Sequence, residues 1–333
     1  MRGDVIVQLL QMPKPIRTWQ SPEPRRMPAL RGVLSHWLAA EGANFYEIAI
    51  RSGRQQMGLI RALAPRENAQ QLATAERDRV TGGLTWVDAT MTRLAVQAGR
   101  QLPSYDLFPY HLPSPRGFMV FEDPIGLLWS DEGTPVEIAA VSWGPWAGPE
   151  GWQWTDGGTW MTFYSSHRDA RYTRSTKRVV GELGLADVHP LLPYNEAGWP
   201  FGELAAIEFP AESTAQWART VVAAWLLMRQ PLHAEIVSAP AMPTSAKKRM
   251  RRVGLPTSGV DIVRVRRRAS GSPSGSRDGN YTWTRRVTVP PFWRRYHVGP
   301  GRSRIEWMWI DEYEAGPPDA PLHEVERVRV WNR

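Results

Sequence analysis

Apolar positions in the first hundred residues recur at helical spacing. After Pro28, which suits a first helical turn, Leu30, Val33, Leu34, Trp37 and Leu38 share one face of a 3.6-residue repeat. A more polar helical stretch opens at Pro65 and ends near Gly82 and Gly83. Thr85-x-x-Asp88 then precedes a third helix, where Asp88 can accept hydrogen bonds from backbone donors left free at a helix start. Val87, Met91, Leu94, Ala95 and Ala98 form its apolar stripe, and Pro103 marks the exit. Such stripes are core faces.

From about residue 117 the period shortens to that of strands. Segments 117–122, 135–143 and 159–165 are rich in aromatic and β-branched residues and are separated by Gly, Pro and Asp, and 201–209 adds a further strand. One strong helix follows over 213–230, with Trp217, Val221, Ala224, Trp225 and Met228 on one face and Pro231 as its stop. The pattern predicts an α+β protein: a helical part to about residue 105, then an antiparallel sheet covered on one face by the helix, over 106–231. A Pro-, Ala- and Ser-rich linker at 238–246 separates this body, 1–240, from a second module, 241–333. That module is expected to open with a basic helix at 246–252. Strands at 260–268 and 281–290 follow, joined as a hairpin by a connection containing Ser-Gly-Ser-Pro-Ser-Gly-Ser (270–276), and then strands at 304–310 and 328–331.

Charge sharpens the division. The formal net charge of the 333 residues is +8, but 247–304 carries 16 basic groups against Asp261 and Asp278. Residues 1–246 sum to −2 and 305–333 to −4. There is no cysteine, which removes disulfides, thiolate metal sites and cysteine nucleophiles. The longest uncharged apolar run, 221–228, is far short of a membrane span, and the chain opens without a charged-then-apolar leader. A cytoplasmic protein with no membrane partner is expected.

Alternation along the expected hairpin puts Arg264, Arg266 and Arg268 on one strand face and Arg286 beside Thr282, Thr284 and Thr288 on the other strand. Guanidinium and hydroxyl groups both suit phosphate oxygens. Lys247, Lys248, Arg249, Arg251 and Arg252 extend the basic set upstream. Trp293, Arg294, Arg295, Arg302 and Arg304 extend it downstream, where aromatic residues interleave with positive charge. Aromatic faces stack unpaired bases while arginines follow the backbone, so the reading is a non-catalytic nucleic-acid binder that favours RNA or single strands. An acidic protein partner is the alternative for the same charge. Internal neutralisation by Asp311, Glu312, Glu314, Glu324 and Glu326 is a further one.

The end of the chain carries a recognisable series: Phe292-Trp293-Arg294, Gly299-Pro300-Gly301-Arg302-Ser303, Trp309-Ile310-x-x-Tyr313, Gly316-Pro317 and Pro321-Leu322. It resembles the C-terminal signature of a group of uncharacterised proteins of high-GC bacteria, their phages and plasmids. The resemblance covers about the last 90 residues. In that group the first motif commonly reads His-Trp-Arg followed by Gln; here Phe292 replaces the histidine and Tyr296 the glutamine. The resemblance implies no known activity. It suggests as a second function class a structural or protein-interaction component of a phage or mobile element, with the tryptophan-rich sheet as its contact and homo-oligomerisation as one form. Six of the 17 tryptophans (129, 143, 146, 152, 154 and 160) fall within that sheet.

Signatures of catalysis are sparse. Neither a phosphate-binding G-x-x-x-x-G-K-[ST] loop nor a dinucleotide-binding G-x-G-x-x-G is present, and the seven histidines include no H-E-x-x-H pair. No cofactor and no metal is expected; His167-Arg168-Asp169 and Asp187-Val188-His189 offer only isolated pairs. One enzyme reading remains, a metal-independent ribonuclease in which Arg295 stabilises the phosphorane and His297 transfers a proton. Alternation puts those two on the same strand face.

Overall fold

The computed structural model describes residues 19–55, 58–103, 107–129, 135–148, 156–166, 173–188, 190–202, 214–253, 255, 257, 259–266, 286–317 and 320–321. The protein is α+β. It separates into two compact units, one ending at Arg266 and the other comprising 267–333 with 101–103. The division therefore falls beyond the linker-like segment at 238–246. Ala239 N–H bonds to the Val260 carbonyl at 2.8 Å, which ties that segment into the first unit.

The helices of the first unit are α1 (Met27–Trp37), α2 (Ala43–Arg51), α3 (Pro65–Val80), α4 (Ala89–Arg100), α5 (Arg174–Leu183), α6 (Thr214–Met228) and α7 (Thr244–Arg252). Its strands are β1 (Gly83–Val87), β2 (Gly117–Phe121), β3 (Gly126–Trp129), β4 (Pro135–Trp146), β5 (Gly158–Ser166), β6 (Leu191–Pro200), β7 (Ala234–Ser238) and β8 (Asp261–Val265). They form one sheet in the order β6-β5-β4-β2-β1-β8-β7, with β3 beside β4. Asp88 starts α4 as expected, its Oδ1 accepting the Met91 N–H at 2.7 Å. Thr85 lies in β1, a five-residue strand parallel to both β2 and β8, so the sheet is mixed. Too short to show a period of its own, β1 merges in the sequence with the helical stretches on either side.

Helices cover both sheet faces, where one covering helix was expected. Every residue of β2 is buried, the signature of a strand enclosed on two sides. Phe118 and Val120 face the core built with α1, α2 and α3. On the opposite face α6 packs Trp217 edge-on to Phe163 and Trp225 against Trp143. Ten of the 15 residues of α6 are buried. Gly99 of α4 lets α6 approach closely, since a Cβ there would stand 2.8 Å from the Thr220 Cα.

The expected hairpin of 260–268 with 281–290 does not form. β8 is paired on both edges, parallel to β1 and antiparallel to β7, so no edge remains for another strand. In the second unit β9 (Val287–Val289) pairs instead with β12 (Tyr313–Ala315). β10 (Phe292–Val298) and β11 (Arg304–Ile310) form a seven-pair antiparallel hairpin. The strand read at 201–209 is preceded by β6, which ends at Pro200; 203–209 lie outside the described residues, as do 281–285, 328–331 and the 270–276 connection.

Candidate nucleic-acid interface

α7 begins two residues before the expected helix and is anchored by Met250, which is 1% exposed and part of the hydrophobic core of the first unit. The remainder of its last two turns is basic: Lys248, Arg249, Arg251 and Arg252 are exposed and Lys247 is half-buried. Cations at a helix C-terminus are favoured by the aligned peptide dipoles, so Arg249, Arg251 and Arg252 are compatible with local helix energetics.

α5 packs beside α7. Its inward face is Thr176, Val179 and Leu183, and its outward face carries Arg174, Lys177 and Arg178, all exposed. The Glu182 carboxylate lies 3.8 Å from the Nε of both Arg178 and Arg252, so one acid is shared between the two helices. At these distances and exposures such a contact contributes at most about 1 kcal/mol. Sequence reading missed α5 because its bases were averaged into a near-neutral body. The signal was local, five bases against Asp169 over 168–178.

The other predicted residues fall elsewhere. Arg264 is exposed on β8 and stands opposite Glu235 of β7. Arg266 donates to the Pro231 carbonyl at 2.7 Å. Arg268 lies outside the described residues. In the second unit Arg286 acts as a clasp: Nη1 reaches Glu314 at 2.7 Å and Nε the Ala320 carbonyl at 2.8 Å. Internal neutralisation, expected as an alternative for the whole module, is thus observed at this arginine.

The β10–β11 hairpin presents two faces. Trp293, Arg295 and His297 share one with Ile305, Trp307 and Trp309. Trp293, expected to stack bases, is 7% exposed and packs edge-on against Trp309 at 5.3 Å, because a two-stranded ribbon needs these rings as its core. Arg295 and His297 are exposed on that face, toward the turn. The other face carries Phe292, Arg294, Tyr296 and Arg304, with the Arg294 guanidinium 5.1 Å from the Tyr296 ring centre. The Gly-Pro-Gly-Arg-Ser motif is the turn between the strands. Gly299 and Gly301 have φ of 80° and 63°, and Arg302 also takes a left-handed φ of 57°, placing an exposed guanidinium at the tip.

Two other clusters bring polar groups together. A cleft of about 300 Å³ is lined by Val96, Arg100, Ile125, Leu127, Glu137 and Trp217. Its buried acid, Glu137, already accepts the Trp19 backbone N–H. The second cluster lies in the core. Glu76 of α3 is wholly buried and accepts the hydroxyls of Ser142, Thr162 and Tyr164 together with two N–H groups of Arg79, at 2.9 and 2.6 Å. Burial alone would raise the Glu76 pKa, but Arg79 and the three hydroxyls hold it below its ordinary value. Burial, followed by the Glu76 charge, pushes the Tyr46 and Tyr164 phenols well up. With no solvent access and the carboxylate satisfied, this network joins α3 to β4 and β5 rather than forming a substrate site. Trp143 and Trp160 of the tryptophan-rich segment are likewise core, at 0% and 2% exposure, while Trp152 and Trp154 lie outside the described residues.

Among the described residues no helix is long and apolar enough to cross a membrane, and no three His, Asp or Glu side chains converge as a metal site. His111 and His233 are buried: His111 Nδ1 accepts the Phe108 N–H, and the His233 carbonyl accepts the Arg266 N–H. Comparison with protein-family models and with curated proteins returned no match.

Proposed function

We propose that the protein binds nucleic acid without catalysing its cleavage, through basic side chains displayed by α7 and by the β10–β11 hairpin. The observation that carries this reading is the exposure of those side chains on ordered elements. Lys248, Arg249, Arg251 and Arg252 project from a helix fixed by Met250, and Arg294, Arg302 and Arg304 project from a ribbon fixed by the Trp293–Trp309 pair. Phosphate oxygens are the ligands that arginine forks and lysine ammonium groups recognise together. On the hairpin, the half-buried Phe292 and Tyr296 beside Arg294 supply rings for unpaired bases, which favours RNA or single strands at that surface.

The test is fluorescence anisotropy with a labelled single-stranded RNA at about 50 and about 200 mM salt. Binding is expected to weaken steeply over this interval, by about a hundredfold or more for five or six phosphate contacts. Replacing Arg294, Arg302 and Arg304 by glutamine should weaken binding to all sequences alike. No binding at about 50 mM salt, or salt-independent binding, refutes the reading.

A further inference from the structure

α5 carries its bases at the end of the helix where they are least favoured. Arg174, Lys177 and Arg178 occupy the first turn and a half, without an acid in the first turn, where the peptide dipoles repel cations. Among the described residues no acid pairs with Arg174 or Lys177. Glu41 sits at this helix start but accepts from Thr173 and Thr176, at 2.7 Å from the Thr173 hydroxyl. Local helix energetics therefore do not account for Arg174 and Lys177, in contrast to the charges at the end of α7, while Arg178 has Glu182 one turn on.

The packing of α5 on α7 puts the two sets on adjacent helices, joined where Arg178 and Arg252 share Glu182. Together they carry eight bases, with Glu182 as the acid within the helices and Glu41 at the start of α5. None of the large exposed apolar side chains belongs to either helix, so the surface has nothing to insert into a lipid layer. The helices expose no aromatic ring either, so bases cannot stack on them. What remains is recognition of phosphates alone. α5, with ten residues, is about 15 Å long. Over that length a duplex carries about nine phosphate charges and a single strand about half as many, so a dense, ring-free basic surface is better matched by the duplex.

We propose that the α5–α7 surface docks on the phosphate backbone of double-stranded nucleic acid, with Arg174, Lys177 and Arg178 as contact residues alongside the bases of α7. This rests on the nucleic-acid reading above and adds to it a duplex partner and three residues outside the basic C-terminal segment.

The experiment measures binding of the full chain to labelled 20-base-pair RNA and DNA duplexes, to the corresponding single strands, and to phosphatidylserine vesicles, across a salt series. The variant Arg174→Gln/Lys177→Gln/Arg178→Gln should weaken duplex binding about tenfold or more. It should also make the slope of log K against log salt shallower by about 2.7, at about 0.9 per lost phosphate contact, while single-strand affinity stays within about twofold. Arg249→Gln/Arg251→Gln, on the other helix, should also weaken duplex binding, with a slope shallower by about 1.8 for two lost contacts, and provides an independent arm if the first variant does not fold. Unchanged duplex affinity and slope in a folded variant of either helix overturn the proposal. So does a wild-type protein that binds single strands or vesicles but not duplex; in the single-strand case the broader reading stands. A wild-type protein that binds neither kind of nucleic acid overturns both.

Discussion

Replacing Glu76 by glutamine keeps the shape of the side chain and removes its charge. Among the described residues the carboxylate is the ion-pair partner of the buried Arg79, which is 7% exposed and lies 5.1 Å from the Trp160 ring centre. Hydroxyls of Ser142, Thr162 and Tyr164 can rotate to meet an amide, but the guanidinium would keep its charge in a buried site. Leaving one member of a buried pair uncompensated costs about 3–5 kcal/mol. That is a large part of a domain stability of about 5–15 kcal/mol. At about 2 °C per kcal/mol for a unit of this size, the melting temperature should fall by about 6–10 °C. Differential scanning calorimetry measures this directly. Adding Arg79→Met to the Glu76→Gln background removes the orphaned cation and should recover about half the loss. A single variant that melts within about 2 °C of the parent would refute the argument that this pair is held by mutual compensation. The same network has an acid signature. The folded-state pKa of Glu76 lies below its ordinary 4.5, so its contribution is complete above about pH 4.5 and is lost as pH falls through the folded value.

Glu196 should show the opposite sign. Burial is the main cause that raises its pKa to about 8, and the nearby Glu76 charge adds to it, while the hydrogen bond from Gln55 and the Arg79 charge oppose it. The folded state holds this proton from about pH 4.5 to about 8 while the unfolded chain does not, so stability declines across that window as pH rises. In Glu196→Gln, urea unfolding should lose this decline; an unchanged pH profile refutes the assignment. Gly117→Ala places a Cβ 2.2 Å from the Trp143 ring, which is fully buried between sheet and α6, and should cost about 1–3 kcal/mol in the same assay. Arg302→Gly relieves a left-handed arginine at the hairpin tip and should leave the melting temperature unchanged or slightly raised while weakening RNA binding; unchanged binding removes Arg302 from the interface. Arg295 and His297 lie on the same strand face and both are exposed, yet RNA incubated with the protein in chelator should stay intact. Cleavage that disappears in His297→Ala would restore the ribonuclease reading.

Long, strongly periodic segments were legible in the sequence. The stripe from Leu30 to Leu38 became α1 and the turn after it, Asp88 capped α4, and the apolar run after residue 213 became α6. Short elements escaped. β1 and β7 are five residues each, too few for a period to stand out, and their place in the sheet depends on partners far away in the chain. The candidate site was half legible. The basic helix α7 and the alternation that puts Arg295 and His297 on one face follow from local sequence, whereas the Gly-Pro-Gly-Arg motif reads there as a signature and its place as the hairpin turn comes from the structure. Trp293 did not keep its expected role, because the small hairpin uses its ring as core.

By itself the sequence determined the α+β class, the absence of thiol chemistry and the concentration of positive charge late in the chain, since each is a matter of composition or local period. Only the tertiary structure decided how that charge is apportioned. β8 is drawn into the first unit because its two edges are satisfied by β1 and β7, so a segment that reads as one basic module is divided between two units. Arg286 is turned onto Glu314, and α5 is brought against α7 by packing between residues about 70 positions apart. Charge density is written along the chain, but which charges share a surface is set by hydrogen-bonded edges and buried faces that close at long range.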